Sequence, residues 1–191
     1  MRTLQCGTLE IPDRINTLQE KHWHVLRERL TRKYGQAEHL FRDIFQLPSR
    51  YFADILTITN GNLRNKRILD LGCGSVDSPD APYGDKRKER MFEPWLCRGL
   101  HELGTQVLGV DLGNLSGEEF LGRSLDLRRP DVLRFIQPHS VELITAFQFF
   151  SSPVIRSYRK EIWEQLLPEI NTLLKPNGTF LYHLEGGLGI N

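Results

Sequence analysis

The stretch that decides the fold is Arg67-Ile68-Leu69-Asp70-Leu71-Gly72-Cys73-Gly74-Ser75. Residues 68–71 have the pattern of a short buried strand that carries one acidic residue, and two glycines one residue apart follow it directly. Because glycine has no Cβ, the backbone of such a turn can come within contact distance of a ligand. The stretch therefore predicts a strand that ends in a ligand-binding turn, with Asp70 placed to orient the turn or to bind a cationic amine.

The chain beyond Gly61 continues in the same manner, with short apolar runs separated by longer helical or irregular stretches. Runs that are apolar without alternation are typical of strands covered on both faces. Alternating strands and helices favour right-handed crossovers and a parallel sheet. We therefore predict an α/β fold with a doubly wound, mostly parallel sheet of about five strands and helices on both faces. The predicted strands are 68–71, 106–110, 119–124, 141–147 and 179–184, and the clearest helices are 94–103 and 155–174.

The first 60 residues have a different pattern. Apolar residues recur at helical spacing in three successive runs between Pro12 and Asn60, and no strand pattern interrupts them. We therefore expect an N-terminal helical cap over residues 1–62 and a Rossmann-like domain over residues 63–191.

The composition excludes several classes of protein. Lys and Arg total 25 against 24 Asp and Glu. The resulting net charge of +1 indicates neither a nucleic-acid nor a membrane partner. Three scattered cysteines without a CxxC pattern indicate neither a disulfide framework nor a zinc site, and no other metal-ligand spacing is present. Without an apolar N-terminal run or a stretch of about 20 apolar residues, we expect a cytoplasmic protein.

Further polar and turn residues fall at the ends of the predicted strands. Asp111 ends the second strand, where a carboxylate can accept hydrogen bonds from a ribose diol. Asp126 follows the third strand, where it can accept from an adenine amine or cap the segment that begins at Arg128. Phe147 and Gln148 follow the fourth strand, and the turn 173–178 precedes the fifth.

In this order, the features of residues 67–184 resemble the class I (Rossmann-like) S-adenosylmethionine-dependent methyltransferases. The segment 70–74 resembles the first motif of that family, and Leu-Lys-Pro-Asn-Gly at 174–178 resembles its Leu-Lys-Pro-Gly-Gly turn. The resemblance implies S-adenosylmethionine (SAM) as cofactor and methyl transfer by in-line displacement, with protein groups that mainly position the reactants. It names no catalytic residue. The cofactor-binding candidates are Asp70, Gly72, Cys73, Gly74, Asp111, Leu112, Asp126, Leu127, Phe147 and Gln148.

Several features depart from the family pattern. Val76 stands where a third glycine is usual, and a charged stretch, 75–93, precedes the next helix; it is either a lid over the site or a solvated insertion. The chain stops at Asn191, so we expect a shortened member in which the last antiparallel hairpin is missing. The alternative to an enzyme is a non-catalytic member that binds SAM or a protein and acts as a scaffold or regulator.

The acceptor side has weaker signals. Residues 147–153, FQFFSSP, lack the Asn/Asp-Pro-Pro-Tyr/Phe signature of enzymes that methylate amines of nucleobases. We therefore expect a small-molecule acceptor, with nucleic acid not indicated and with a protein partner or second copy as a candidate to complete the sheet edge. Aromatic candidates for the acceptor pocket are Trp23, Tyr34 and Tyr51, and His183 is the best-placed histidine for proton transfer.

Overall fold

The protein is built on one parallel sheet. A computed structural model describes residues 3–6, 9–35, 46–78, 90–147 and 149–183, of which 3–6 and 46–49 are described as backbone only. All five strand pairings are parallel, and the strand order is β1-β6-β5-β2-β3-β4. This confirms the predicted α/β class and parallel sheet. The strands are β1 (Thr3–Cys6), β2 (Arg67–Leu71), β3 (Gln106–Asp111), β4 (Leu121–Ser124), β5 (Val141–Ala146) and β6 (Leu174–Tyr182).

Helices cover both faces of the sheet. One hydrophobic cluster joins the sheet to the first three helices, and a second joins it to the last two. The sheet is therefore doubly wound, as predicted. The helices are α1 (Asp13–Tyr34), α2 (Gln46–Ile58), α3 (Trp95–Glu102), α4 (Pro153–Arg156) and α5 (Arg159–Leu173), with a 3₁₀ turn at Phe149–Ser151. Within the described residues, none of these helices is long and apolar enough to cross a membrane.

Strand β2 lies at the centre of this arrangement. Ile68 belongs to the cluster on the α1–α3 face, whereas Leu69 and Leu71 belong to the cluster on the opposite face, as the two-residue period of a strand requires. The chain moves from β2 to β3 and β4 on one side, and later returns on the other side as β5 and β6. Ligands bind outside the carboxyl ends of the strands where the winding direction changes, here between β2 and β5.

The N-terminal segment contributes a strand that sequence analysis missed. Strand β1 pairs with β6, from Thr3 opposite Thr179 to Cys6 opposite Tyr182. Four residues are too few for a periodic signal, and the pairing depends on a partner at the far end of the chain. Helices α1 and α2 also share their hydrophobic cluster with the sheet. The division into units 1–62 and 63–191 stays a prediction.

The turn before the last strand differs from its prediction. Helix α5 ends at Leu173 and β6 begins at Leu174, without a separate turn between them. Val141 pairs with Leu174 and Leu143 with Thr179, so residues 175–178 form a bulge inside the strand. On its other side β6 pairs with β1, so this side of β6 is not an open sheet edge.

Candidate functional site

A cavity of about 310 Å³ lies at the carboxyl ends of β2, β3, β4 and β5. Its volume is at the lower limit for small-molecule sites. The parallel register brings together residues that are far apart in the chain, because the carboxyl ends of all these strands lie at one edge of the sheet. Of the predicted residues, the cavity is lined by Asp70, Gly72, Cys73, Gly74, Asp111, Leu112, Asp126, Leu127 and Phe147, and Gln148 lies outside the described residues.

The two glycines of the first turn are required by contacts with the protein itself. Gly72 has φ +70° and Gly74 has φ +88°, in the left-handed region that favours glycine. A Cβ on Gly74 would lie 2.1 Å from the carbonyl oxygen of Phe92, and one on Gly72 would lie 2.7 Å from Cδ2 of Phe149. The turn therefore packs against the two neighbouring segments that also line the cavity.

Asp70 presents a buried carboxylate to the cavity. Its side chain accepts hydrogen bonds from Thr145 Oγ1 at 2.7 Å and from the Cys97 thiol at 3.5 Å. Burial raises the pKa of Asp70 to about 6, and the neighbouring Asp111 charge acts in the same direction. Both of these hydrogen-bond donors are neutral, and within the described residues no lysine or arginine forms an ion pair with Asp70.

Asp111 links the end of β3 to the glycine turn. Its Oδ2 accepts a hydrogen bond from the Gly74 amide at 2.9 Å, and its Oδ1 accepts one from the Gly113 amide at 3.0 Å. Asp111 therefore shapes the turn and also faces the cavity.

Asp126 is held by an arginine that sequence analysis did not select. Arg128 donates to Oδ1 of Asp126 from Nε at 2.8 Å and to Oδ2 from Nη2 at 3.0 Å. The backbone amide of Arg128 also donates to Oδ1. The hydrogen bond from the Arg128 side chain lowers the pKa of Asp126, which is therefore ionised at neutral pH. Arg128 lines the cavity as well, so this end of the site presents both charges.

The wall formed by residues 91–93 is braced by one buried cation. The Arg98 guanidinium pairs with Glu93 and with Glu118, each at 2.5 Å, and stacks over the rings of Tyr34 at 4.0 Å and Trp95 at 4.6 Å. Sequence analysis assigned this segment to the 75–93 stretch and selected only Tyr34 among these residues, as an aromatic candidate for the acceptor pocket. The prediction that the stretch is a lid or an insertion falls mostly on residues 79–89, which lie outside the described residues.

The opposite end of the cavity is aromatic. Tyr51 of α2 stacks on Phe147 with ring centroids 4.1 Å apart and an angle of 4° between the rings. Both residues line the cavity, whereas the other two aromatic candidates do not. Tyr34 packs against Trp95, and Trp23 packs against the α1–α3 cluster. We call this the aromatic end, and the region of Asp70, Gly72, Gly74, Asp111 and Asp126 the carboxylate end.

Within the described residues, no group of three or more histidine, cysteine or acidic side chains is arranged to hold a metal ion. Cys73 and Cys97 are free cysteines at the cavity and beneath it. Burial raises the pKa of both thiols, so neither is activated as a nucleophile at neutral pH.

Comparison with known proteins finds a relative that aligns with most of the chain. The chain is 25% identical, over 181 residues or 93% of its length, to the tRNA N(3)-methylcytidine methyltransferase trm140 of Schizosaccharomyces pombe. The chain spans about half of that relative, 53% of its length. No protein-family model matches the chain.

Two solved structures are similar at lower identity. An S-adenosylmethionine-dependent methyltransferase from Mesorhizobium loti is 21% identical, with a TM-score of 0.38 over 65% of this chain and 49% of the other. A provisionally assigned S-adenosylmethionine-dependent methyltransferase from Methanococcus maripaludis is 14% identical, with a TM-score of 0.43 over 93% of this chain and 68% of the other. The strand order and the cavity, rather than these scores, carry the description of the fold.

The similarity to a tRNA methyltransferase corrects one expectation. Sequence analysis favoured a small-molecule acceptor and found nucleic acid not indicated, and the relative named for a tRNA substrate contradicts this. The near-zero net charge was a poor guide, because it averages over the chain and does not describe any one surface. The missing Asn/Asp-Pro-Pro-Tyr/Phe signature was also a poor guide, since it is typical only of enzymes that methylate amines and its absence does not exclude other nucleic-acid acceptors.

Proposed function

Because the chain has the fold of the class I S-adenosylmethionine-dependent methyltransferases, we propose that it binds SAM and methylates a nucleoside of tRNA. The observation that carries the proposal is the 25% identity to a tRNA N(3)-methylcytidine methyltransferase, which extends over 93% of the chain. A match over 93% of the chain extends beyond residues 63–191, so it includes most of the N-terminal helical part as well.

The residues at the carboxylate end fit SAM. Asp70 is a buried carboxylate with two neutral hydrogen-bond donors, and an ammonium group is the partner that such a charge lacks. We assign it to the amino group of the methionine moiety, beside the turn of Gly72 and Gly74. Asp111 would hold the ribose hydroxyls and share its oxygens with two backbone amides.

The adenine edge would lie farther along the same row of strand ends. Asp126 and Arg128 supply an acceptor and a donor there, and Leu112 and Leu127 supply apolar surface. Nearly half of the Leu112 side chain is exposed, which is a cost that a covering adenine would reduce. These assignments all lie on one edge of the sheet, in the order of the strands.

When bound, SAM supplies a methyl group that its sulfonium already activates. The protein then has to position the acceptor and exclude water, and it needs a general base only for an acceptor that must lose a proton. N3 of cytosine has a lone pair in the ring plane and can attack without prior loss of a proton. This chemistry is consistent with a site in which the aromatic end, rather than an acid–base pair inside the cavity, faces the acceptor.

Calorimetry with SAM and S-adenosylhomocysteine tests the cofactor site. We expect Asp111→Asn to weaken SAM binding by roughly 1–3 kcal/mol, because a charge-assisted acceptor is lost. Asp131→Asn, an exposed acid outside the cavity, is the matched control and should bind as the wild type does. Equal affinity of the wild type and Asp111→Asn would remove Asp111 from the site.

Methyl transfer to tRNA tests the acceptor. The full chain is incubated with methyl-labelled SAM and unmodified tRNA transcripts, and the labelled nucleoside is identified after digestion. We expect label at N3 of cytidine, and none when the modified cytidine is replaced by uridine. Cofactor binding without transfer to any tRNA would favour a non-catalytic member of the fold, and no binding of either cofactor form would end the proposal.

A further inference from the structure

The aromatic end is backed by a group of side chains from distant parts of the chain. Ala146 of β5 pairs with Tyr182 of β6, so the next residues, Phe147 and His183, lie side by side just beyond the paired strands. Tyr51 of α2 covers Phe147 from the helical face. The His183 ring meets both at nearly right angles, with centroid distances of 5.1 Å to Tyr51 and 5.0 Å to Phe147.

Asp54 holds the imidazole from behind. Oδ2 of Asp54 lies 3.2 Å from Nε2 of His183, and Oδ1 accepts a hydrogen bond from the Leu9 amide at 3.2 Å. The Asp54 side chain is fully buried, and that burial is the main reason why its pKa is raised. The titratable side chains that face it and act in the opposite direction are those of His183 and Arg50.

A buried acid paired with a histidine is not explained by a gain in folding stability alone. Burial of the Asp54 carboxylate carries a desolvation cost, and buried pairs of this kind are often no more stabilising than apolar side chains of the same volume. What the pair does achieve is geometric, because it fixes the plane of the imidazole. That plane in turn sets the tilt of the two stacked rings, which line the cavity.

We propose that Asp54 and His183 are positioning residues that hold Tyr51 and Phe147 as a parallel stacked pair, the aromatic wall, and that the planar base of the acceptor stacks on the cavity face of this pair. The identity of the acceptor as a nucleobase rests on the proposed function. Stacking on an aromatic side chain orients a base that has left its helix, and every base has a π-face that can take part. Neither Asp54 nor His183 lines the cavity, so they act through the wall.

The proposal separates positioning from proton transfer. A ring nitrogen with an in-plane lone pair needs no base, so His183 is required for the hydrogen bond to Asp54 and not for its titration. Glutamine places an amide nitrogen near the position of Nε2, and it can keep that hydrogen bond. We therefore expect His183→Gln to retain the activity that His183→Leu loses.

The kinetic test compares His183→Leu, His183→Gln and Asp54→Asn with the wild type, and uses His24→Gln on the exposed side of α1 as control. For His183→Leu we expect kcat for tRNA methylation to fall about tenfold or more, while the Kd for SAM stays within about twofold. His183→Gln and His24→Gln should stay within about threefold of the wild type. If kcat falls only in proportion to a loss of SAM affinity or of folded protein, the role of His183 is purely structural and the proposal is overturned.

A structural readout keeps the test independent of activity. Crystal structures of the wild type and of His183→Leu with S-adenosylhomocysteine should show the Tyr51 ring displaced from Phe147 in the variant only; Asp54→Asn serves if His183→Leu does not fold. An undisturbed stack in both variants would overturn the positioning role even if the wild type methylates tRNA. If the stack is displaced in the variant but the wild type does not methylate tRNA, the positioning role of His183 stands and the proposed acceptor is refuted.

Discussion

The two ends of the cavity are built in different ways. At the carboxylate end, backbone amides hold the side chains in place, as where the amides of Gly74 and Gly113 donate hydrogen bonds to Asp111. At the aromatic end, side chains from α2 and from the ends of β5 and β6 meet, and the Asp54–His183 contact joins residues 129 positions apart. A site made of turns is specified by a local motif, whereas a site made of distant side chains depends on the completed fold.

The largest effect is expected at the carboxylate end, from Gly74→Ala. The new Cβ would meet the Phe92 carbonyl oxygen at 2.1 Å, in a residue with φ +88°. Because both strain and overlap with backbone are introduced, we expect the free energy of unfolding to fall by more than about 3 kcal/mol, with SAM binding lost. Denaturant unfolding and calorimetry measure the two effects.

Gly104→Ala is the matched control for this change. Gly104 has φ +81°, but a Cβ there would meet nothing within 4 Å, so only the backbone strain of about 1–2 kcal/mol applies. Equal losses in the two variants would show that the Phe92 contact does not matter, and the carboxylate end would then be less rigid than its geometry indicates.

Asp70→Asn should separate stability from binding. The folded-state pKa of Asp70, about 6, lies above the ordinary aspartate pKa of 3.8, so the free energy of unfolding of the wild type falls as pH rises from about 4 to about 6. The difference of about two pKa units corresponds to at most ~3 kcal/mol. We therefore expect Asp70→Asn to be more stable than the wild type at pH 7, by up to that amount, and equally stable near pH 4.

The same variant should bind SAM more weakly at pH 7, because a neutral amide cannot pair with an ammonium group. For the wild type, SAM affinity should fall as pH drops through about 6, since protonation removes the Asp70 charge. Calorimetry across this range checks both statements. A variant that is less stable at pH 7 would show that the hydrogen bond from Thr145 outweighs the cost of burying the charge.

How far the sequence predicts each end follows from this contrast. The central strand, its glycine turn and Asp111 could be predicted because each is read from a short continuous segment, in which a turn or an acid directly follows an apolar strand. Arg128 was missed because its role depends on which way the chain turns after β4, although it lies two residues from Asp126. Strand β1 was missed because its partner is at the other end of the chain.

The aromatic end was predicted only in fragments. Tyr51 and His183 were each considered on their own, and nothing local connects them or points to Asp54. Helical spacing places Asp54 on α2, but its burial and its contact with His183, which follows β6, come from the completed fold. Pairs formed across such distances are visible in a structure and not in the pattern of one sequence.

The smallest effect is expected at the aromatic end, from Tyr51→Leu. Removing one ring of a stacked pair costs about 0.5–1.5 kcal/mol beyond its buried area, so we expect kcat for tRNA methylation to fall about tenfold, as for His183→Leu. Tyr51→Phe keeps the ring and separates the contribution of the hydroxyl group. The Kd for SAM should not change in either variant, because we assign Tyr51 to the acceptor and the carboxylates to the cofactor. If Tyr51→Leu weakened SAM binding as much as it impaired the reaction with tRNA, the two ends would form one binding site. The contrast between a local cofactor site and a long-range acceptor site would then not hold.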